Sequence, residues 1–308
     1  MTTINNRMGL KGVFNLKFTD VKTGQMRELE FTNLILDSGL DRLAGGNVIS
    51  GCMLGISTNT PVTTDTHMDS ILGGSSTLQA SGVGTANTST PPYWCSYYWT
   101  YRFNTGVATG NISQVAMVFG AFYPTLNPVI YDGLFSLALI KDSGGTPITI
   151  TKLADEVLDV TYTLQLYCPT SDVTGTVSIS GVNYNYIVRP SQAASWNASK
   201  NFNSIWSVSA FSGAIGTQLA TPSGGGVANG TTHTFSQYTL GAFSRDLAIF
   251  WDVNNGNIAG GIRSITVATH DGGTRWQIEY SAVSDATTIP KNATKRLTLS
   301  VRFSWGRV

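Results

Sequence analysis

The residues able to do chemistry are few and scattered. There are three histidines, His67, His233 and His270. No two are spaced i, i+4 or fall in an H-E-x-x-H pattern, the spacing that lets one helix face hold a metal. His67 lies in Thr64-Asp65-Thr66-His67-Met68-Asp69. That segment reads either as a metal-binding loop or as a polar loop whose Asp and Thr side chains bond their own backbone. His270-Asp271-Gly272-Gly273 reads as a hairpin turn, because Asp-Gly is a strong turn dipeptide. Neither a G-x-S-x-G elbow nor a phosphate loop is present. The densest acids are Asp155, Glu156 and Asp159. A glycosidase needs two carboxyls about 5 Å apart, or somewhat more for inversion; solvated turn residues give the same pattern. Cys52, Cys95 and Cys168 are odd in number and lack C-x-x-C spacing, so they read as small buried apolar residues and not as a disulfide framework or zinc site. The expectation is a chain that is not an enzyme, with no catalytic residue, metal or cofactor.

The most unusual cluster is aromatic. Tyr93, Trp94, Tyr97, Tyr98, Trp99, Tyr101 and Phe103 fall within eleven positions. A strand buries one face against its own core, so some of these rings must meet a loop, another subunit or a ligand. Core packing, a subunit interface and a platform for stacking sugar rings all use such residues. Tyr93, Trp94, Tyr97, Tyr98 and Trp99 are therefore the interface or ligand candidates.

The elements that must position these residues follow a period of two. Val13 to Phe18 alternates, a Thr23-Gly24 turn follows, and Leu29-Glu30-Phe31 returns, which predicts an opening hairpin. One short helix is expected near residues 38–44, capped by Asp37 or Ser38, stopped by Gly45-Gly46, and burying Leu36, Leu40 and Leu43. A long polar loop rich in Thr, Ser and Gly is expected from about 57 to 92. Trp99, Tyr101 and Phe103 share one face of the next strand, opposite Tyr98, Thr100 and Arg102. Leu134 to Ile140 is an unbroken apolar run, as expected of a strand covered on both faces. Leu158, Val160, Tyr162, Leu164 and Leu166 alternate cleanly.

The second half repeats this logic. Trp99–Gly106 (WTYRFNTG) matches Ile249–Gly256 (IFWDVNNG) at an offset of 150 (249 − 99), and the strand from Leu158 matches that from Leu297 at 139 (297 − 158). The reading is all-β: two β-sandwich-like domains from a duplicated unit, residues 1–169 and 170–308, with strand pairs 99–117 and 249–267 equivalent. Composition agrees. Of the 308 residues 42% are apolar, enough for a core, but only 12% are charged, about half the usual share. A net charge of +1 argues against a nucleic-acid partner. No run approaches the ~18 apolar residues of a membrane span, Met1 to Leu10 lack a secretory h-region, and no heptads suggest a coiled coil.

Several segments carry a family likeness. Phe31-Thr32-Asn33-Leu34-Ile35-Leu36-Asp37-Ser38-Gly39-Leu40-Asp41-Arg42-Leu43 resembles the "F-x-N-L-I-x-x-x-G-L" opening of many bacteriophage tail-fibre and virion structural proteins. Leu54 to Pro61 with Thr64-Asp65-Thr66 is similar to the "G-x-G-x-x-x-P-x-x-x-D-T-x-L" segment that follows in them, with Ser57 at the second glycine and Met68 at the leucine. Arg102 to Gly106, Gly110 to Val115 and Ala138 to Asp142 are also similar, so the likeness spans roughly residues 10 to 190. It implies a tail component (fibre, fibre adaptor, baseplate or collar protein), made in the host bacterial cytoplasm and located in the virion. Its partners would be copies of itself, as a trimer or hexamer, and other phage tail proteins. The alternative is a receptor-binding module for host surface polysaccharide.

Overall fold

The computed structural model describes residues 4–45, 49–193, 202, 205–227, 231–269 and 274–308. The chain is 57% strand and 2% helical, an all-β fold of several sheets. The first half runs β1 (Ile4–Asp20), β2 (Met26–Thr32), β3 (Leu34–Ile35), α1 (Asp37–Arg42), β4 (Gly51–Gly55), β5 (Ile71–Ser75), β6 (Leu78–Asn87), β7 (Trp94–Phe103), β8 (Gly110–Ile112), β9 (Gln114–Tyr123), β10 (Ile130–Leu139), β11 (Ile150–Lys152) and β12 (Glu156–Tyr167). The second runs β13 (Val173–Ile179), β14 (Val182–Ala193), β15 (Ile205–Phe211), β16 (Gly226–Val227), β17 (Thr231–Phe235), β18 (Ser244–Trp251), β19 (Ser264–Thr269), β20 (Thr274–Ala282) and β21 (Leu297–Arg307).

An eight-stranded sheet carries the order β17-β18-β21-β1-β12-β7-β6, with β2 also on β1. The strands β3-β10-β9-β4-β5 form a second sheet, β13-β14-β20-β19-β15-β16 a third, and β8-β11 a two-stranded piece. Alternation explains the large sheet. Phe14, Leu16 and Phe18 of β1 stand beside Tyr162, Val160 and Leu158 of β12. Those in turn stand beside Trp99, Tyr101 and Phe103 of β7, so one face becomes a continuous apolar surface. The buried faces of the three large sheets form one contiguous core. In β10 every residue from Gly133 to Leu139 is buried: Phe135 and Ala138 face the main core, while Leu134 and Leu137 face a smaller cluster with Leu36 and Met53. The opening hairpin forms as expected, its turn held by Asp20 Oδ1 accepting from the Lys22 and Thr23 amides.

The halves repeat one topology. In each, the last long strand of the large sheet pairs with a hairpin, β12 with β7–β6 and β21 with β18–β17. The smaller sheets both contain a run of four, β10-β9-β4-β5 and β20-β19-β15-β16. Main-chain bonds agree: Ser113 N to Gly55 O matches Arg263 N to Phe211 O, and Ile140 N to Ser113 O matches Tyr280 N to Arg263 O. The β8–β11 pair Ile112–Ile150 recurs as the bridge Ile262–Ile289. Pairing senses also fix the relation between the halves. β1 is antiparallel to β12 and parallel to β21, so β12 and β21 run oppositely while burying the same face. A half-turn about an axis normal to the sheet, near β1, relates the two.

Three expectations are corrected. The stretch 57–92 is not all loop: it supplies β5 and β6. β6 is an edge strand exposed on both faces, so it needs no apolar alternation and leaves none in the sequence. The residue-level match of the first strand pair is 148, not 150. Phe103 opposes Leu158 and Trp251 opposes Leu297, so Phe103 is the partner of Trp251 (251 − 103). Two extra residues before Ile262 restore 150 at Gln114 and Ser264, and a two-residue slip is invisible to a period of two. Third, neither Asp37 nor Ser38 caps α1; Leu36 occupies the cap with no side-chain bond. The boundary at 169/170 lies between β12 and β13, but the large sheet takes strands from both sides of it. The turn at His270–Gly273 lies outside the described residues.

Candidate functional site

The aromatic strand divides by parity. Tyr97, Trp99, Tyr101 and Phe103 point into the core and are buried. Trp99 stacks on Tyr162 at 6.3 Å between centroids, and Tyr162 meets Phe14 at 5.0 Å and the edge of Phe135 at 6.1 Å. Burial pushes the Tyr162 hydroxyl well above the usual phenol range, partly offset by its bond from Asn33 Nδ2. Trp94 and Tyr98 lie on the outer face, half-buried. Trp94 packs 6.3 Å from Tyr167, and Tyr98 covers Gly82 of β6, where a Cβ would stand 3.4 Å from the ring. Tyr93 packs against the core from the segment before β7. The five candidates therefore form no single platform: Tyr97 and Trp99 are core, and Trp94 and Tyr98 reach the outer face.

The acids are all engaged. Asp155 pairs with Lys22 at 3.1 Å and Glu156 with Arg27 at 2.9 Å, while Arg102 holds Asp159 through two bonds of 2.7 Å. Glu156 also accepts from the Leu153 amide at 2.7 Å. Each carboxylate thus stands against its own cation, the opposite of a pair sharing one proton. On the outer face Arg102, Asp159, Lys17 and Glu28 stand side by side across β7, β12, β1 and β2, a row of alternating sign.

His67 Nε2 lies 3.4 Å from Asp69 on the surface, while Asp65 accepts from the Val62 amide. The loop bonds its own backbone, and no group of three or more metal-ligating side chains occurs among the described residues. Cys52, Cys95 and Cys168 are buried thiols.

Two features carried no sequence signal. Lys152 and Lys291 occupy equivalent positions (291 − 152 = 139) and are both buried. Lys152 Nζ donates to the Asn104 and Glu156 carbonyls, and Lys291 Nζ to Asn257 Oδ1 and the Asn292 carbonyl. Desolvation lowers both ammonium pKa values. The second is the seam around α1. Asp41 Oδ1 accepts from the Tyr238 hydroxyl at 2.5 Å and the Gly241 amide at 2.8 Å. Asp37 accepts from Arg307 at 2.5 Å, the Leu40 carbonyl from Trp305 Nε1 at 2.8 Å, and the Ala44 carbonyl from Arg245 at 3.1 Å. These partners stand 197 to 270 residues away along the chain, so α1 fastens the first half to the second.

No family model matches the chain, and no curated protein or solved structure does either.

Proposed function

We propose that the chain is a building block of a bacteriophage tail that assembles with copies of itself on the virion. The observation that carries this reading is the seam. The segment 31–43, the first of those that carry the likeness to tail-fibre and virion proteins, is where β2 crosses to β3 and α1, and its polar groups tie the two halves together. Its residues are thus engaged in holding a shape. The paired acids and the buried side chains of Tyr97 and Trp99 point the same way, because these carboxylates and these two rings are engaged internally. The test is immuno-electron microscopy with antibody raised against the purified protein, applied to particles of a phage encoding this chain. Label confined to the tail is the expected result. Particles that contain no such chain would overturn the proposal.

A further inference from the structure

The inner face of the large sheet is core, and its outer face meets solvent. On β12 every second residue from Glu156 to Leu166 is buried, and the residues between them keep part of their surface in water. The strand registers set what that outer face presents. One row crosses β7, β12, β1 and β2 as Arg102, Asp159, Lys17 and Glu28. Within the chain Arg102 meets Asp159 at 2.7 Å, and Lys17 lies 3.8 Å from Glu28. The four side chains remain 21% to 54% exposed, so each keeps room for a second contact. The next row holds Thr100, Thr161, Asn15 and Glu30, and the one after it Tyr98, Thr163, Val13 and Thr32. Further along β1, Lys11 stands beside Gln165 of β12.

The charged row reads plus, minus, plus, minus, so every sign changes when it is reversed end for end. A second copy laid face to face makes that reversal in one orientation. The two-fold axis lies between the two sheets, parallel to the strands and midway between β12 and β1. It sets Arg102 over the second copy's Glu28, and Asp159 over its Lys17. The same axis sets Asn15 over Thr161, Val13 over Thr163, Tyr98 over Thr32, Glu30 over Thr100 and Lys11 over Gln165. No like charges meet in these rows. An axis along the row would instead set each charge on itself. Opposite charges facing each other across an interface draw the copies together and fix their register. The strands are seven to ten residues long in this block. Four of them, about 4.8 Å apart with a rise of about 3.3 Å per residue, present roughly 500 Å² per copy. Two such faces together reach the ~1,000 Å² that a specific contact needs.

We infer that the outer face of the large sheet is the contact surface between two copies of this chain, stacked face to face about a two-fold axis along the strands. This rests on the self-assembly in the proposed function and names its interface. The contact uses the same patch on both copies, so it joins them in pairs and the assembly holds an even number. A dimer or a hexamer fits, and a trimer does not.

A charge swap tests it. In Glu28→Arg two cations meet at each end of the row, and in Arg102→Glu two anions do. Light scattering on the full chain and on each variant, with circular dichroism confirming that the variants fold, should show association weakened at least roughly tenfold in either one alone. In an equimolar mixture of the two variants each cation faces an anion again, and native mass spectrometry should show mixed pairs forming as the wild type does. Mixing leaves the neighbours within each chain unchanged, so the recovery reports only the contact between copies. Variants that assemble like the wild type, a mixture that stays dissociated, or a wild-type trimer overturns the inference and leaves the tail reading standing. A wild-type chain that stays monomeric overturns the contact, and with it self-assembly, while antibody labelling still decides the place in the virion.

Discussion

Tyr98 and Trp99 are chain neighbours with different tasks. Trp99 lies in the row that joins β7 to Tyr162, so Trp99→Ala should cost about 3–5 kcal/mol through lost burial and a cavity. Tyr98→Ala, on the outer face, should cost about 1 kcal/mol or less. Urea unfolding of the two single variants checks this, and equal midpoints would contradict the parity. The buried tyrosines predict alkaline sensitivity. Tyr162 and Tyr280 are both pushed up by burial, so the folded chain holds their protons where the unfolded chain releases them. Their contribution is complete below the ordinary phenol value near 10 and is lost as pH rises beyond it, by roughly 1 kcal/mol per tyrosine per pH unit. Lys152 and Lys291, whose values are lowered, act the other way in the window below the ordinary lysine value near 10.4. There the unfolded chain binds more protons and stability rises with pH. Melting scans from pH 8 to 11 should therefore show a fall only above about 10, and a flat profile there would count against the buried hydroxyls. The parity of β7 was legible in the sequence because alternation is local. The ion pairs of Asp155, Glu156 and Asp159 were not, because their cations come from the first turn, β2 and β7.

At the level of elements, strands with one covered face announced themselves and those without did not. β12 and β21 alternate because one face meets the core, whereas β6, exposed on both faces, carries Leu78 and Val83 as its large apolar residues and no alternation to read. The helix was found from Leu36, Leu40 and Leu43, but its role was hidden, since nothing near Asp41 in the sequence indicates Tyr238. Removing that carboxylate should be costly. Asp41→Ala leaves the Tyr238 hydroxyl and the Gly241 amide without their acceptor, and a loss of about 2 kcal/mol is expected for bonds to a charged group. The check is the urea midpoint at unchanged slope. A shift within a few tenths of a kcal/mol would show that the seam is held elsewhere.

The whole molecule is joined through β1. Its first residues pair with β21 and its later ones with β12, so neither half completes the large sheet alone. The full chain should unfold in a single calorimetric transition. A variant lacking residues 1–10 loses all of the β1–β21 pairing and should show a second, lower transition from the second half. Two transitions in the intact chain would instead restore the reading of independent domains at 169/170. The repeated topology left a trace in the apolar positions, but its two-residue slip and half-turn did not, because pairing between distant strands leaves no local trace.

That half-turn places one strand where two had equal claim. If the halves were separate molecules joined as a dimer, each would bring its own first strand to the same central seat, and only one could sit. Half the assemblies would differ from the other half in nothing but the loser, and each loser would carry an unsatisfied edge. Tethering the halves in tandem ends that contest: β1 always wins, and β13, the first strand of the second half, lies at the outer edge of another sheet. Covalent linkage here resolves an ambiguity that symmetry alone creates.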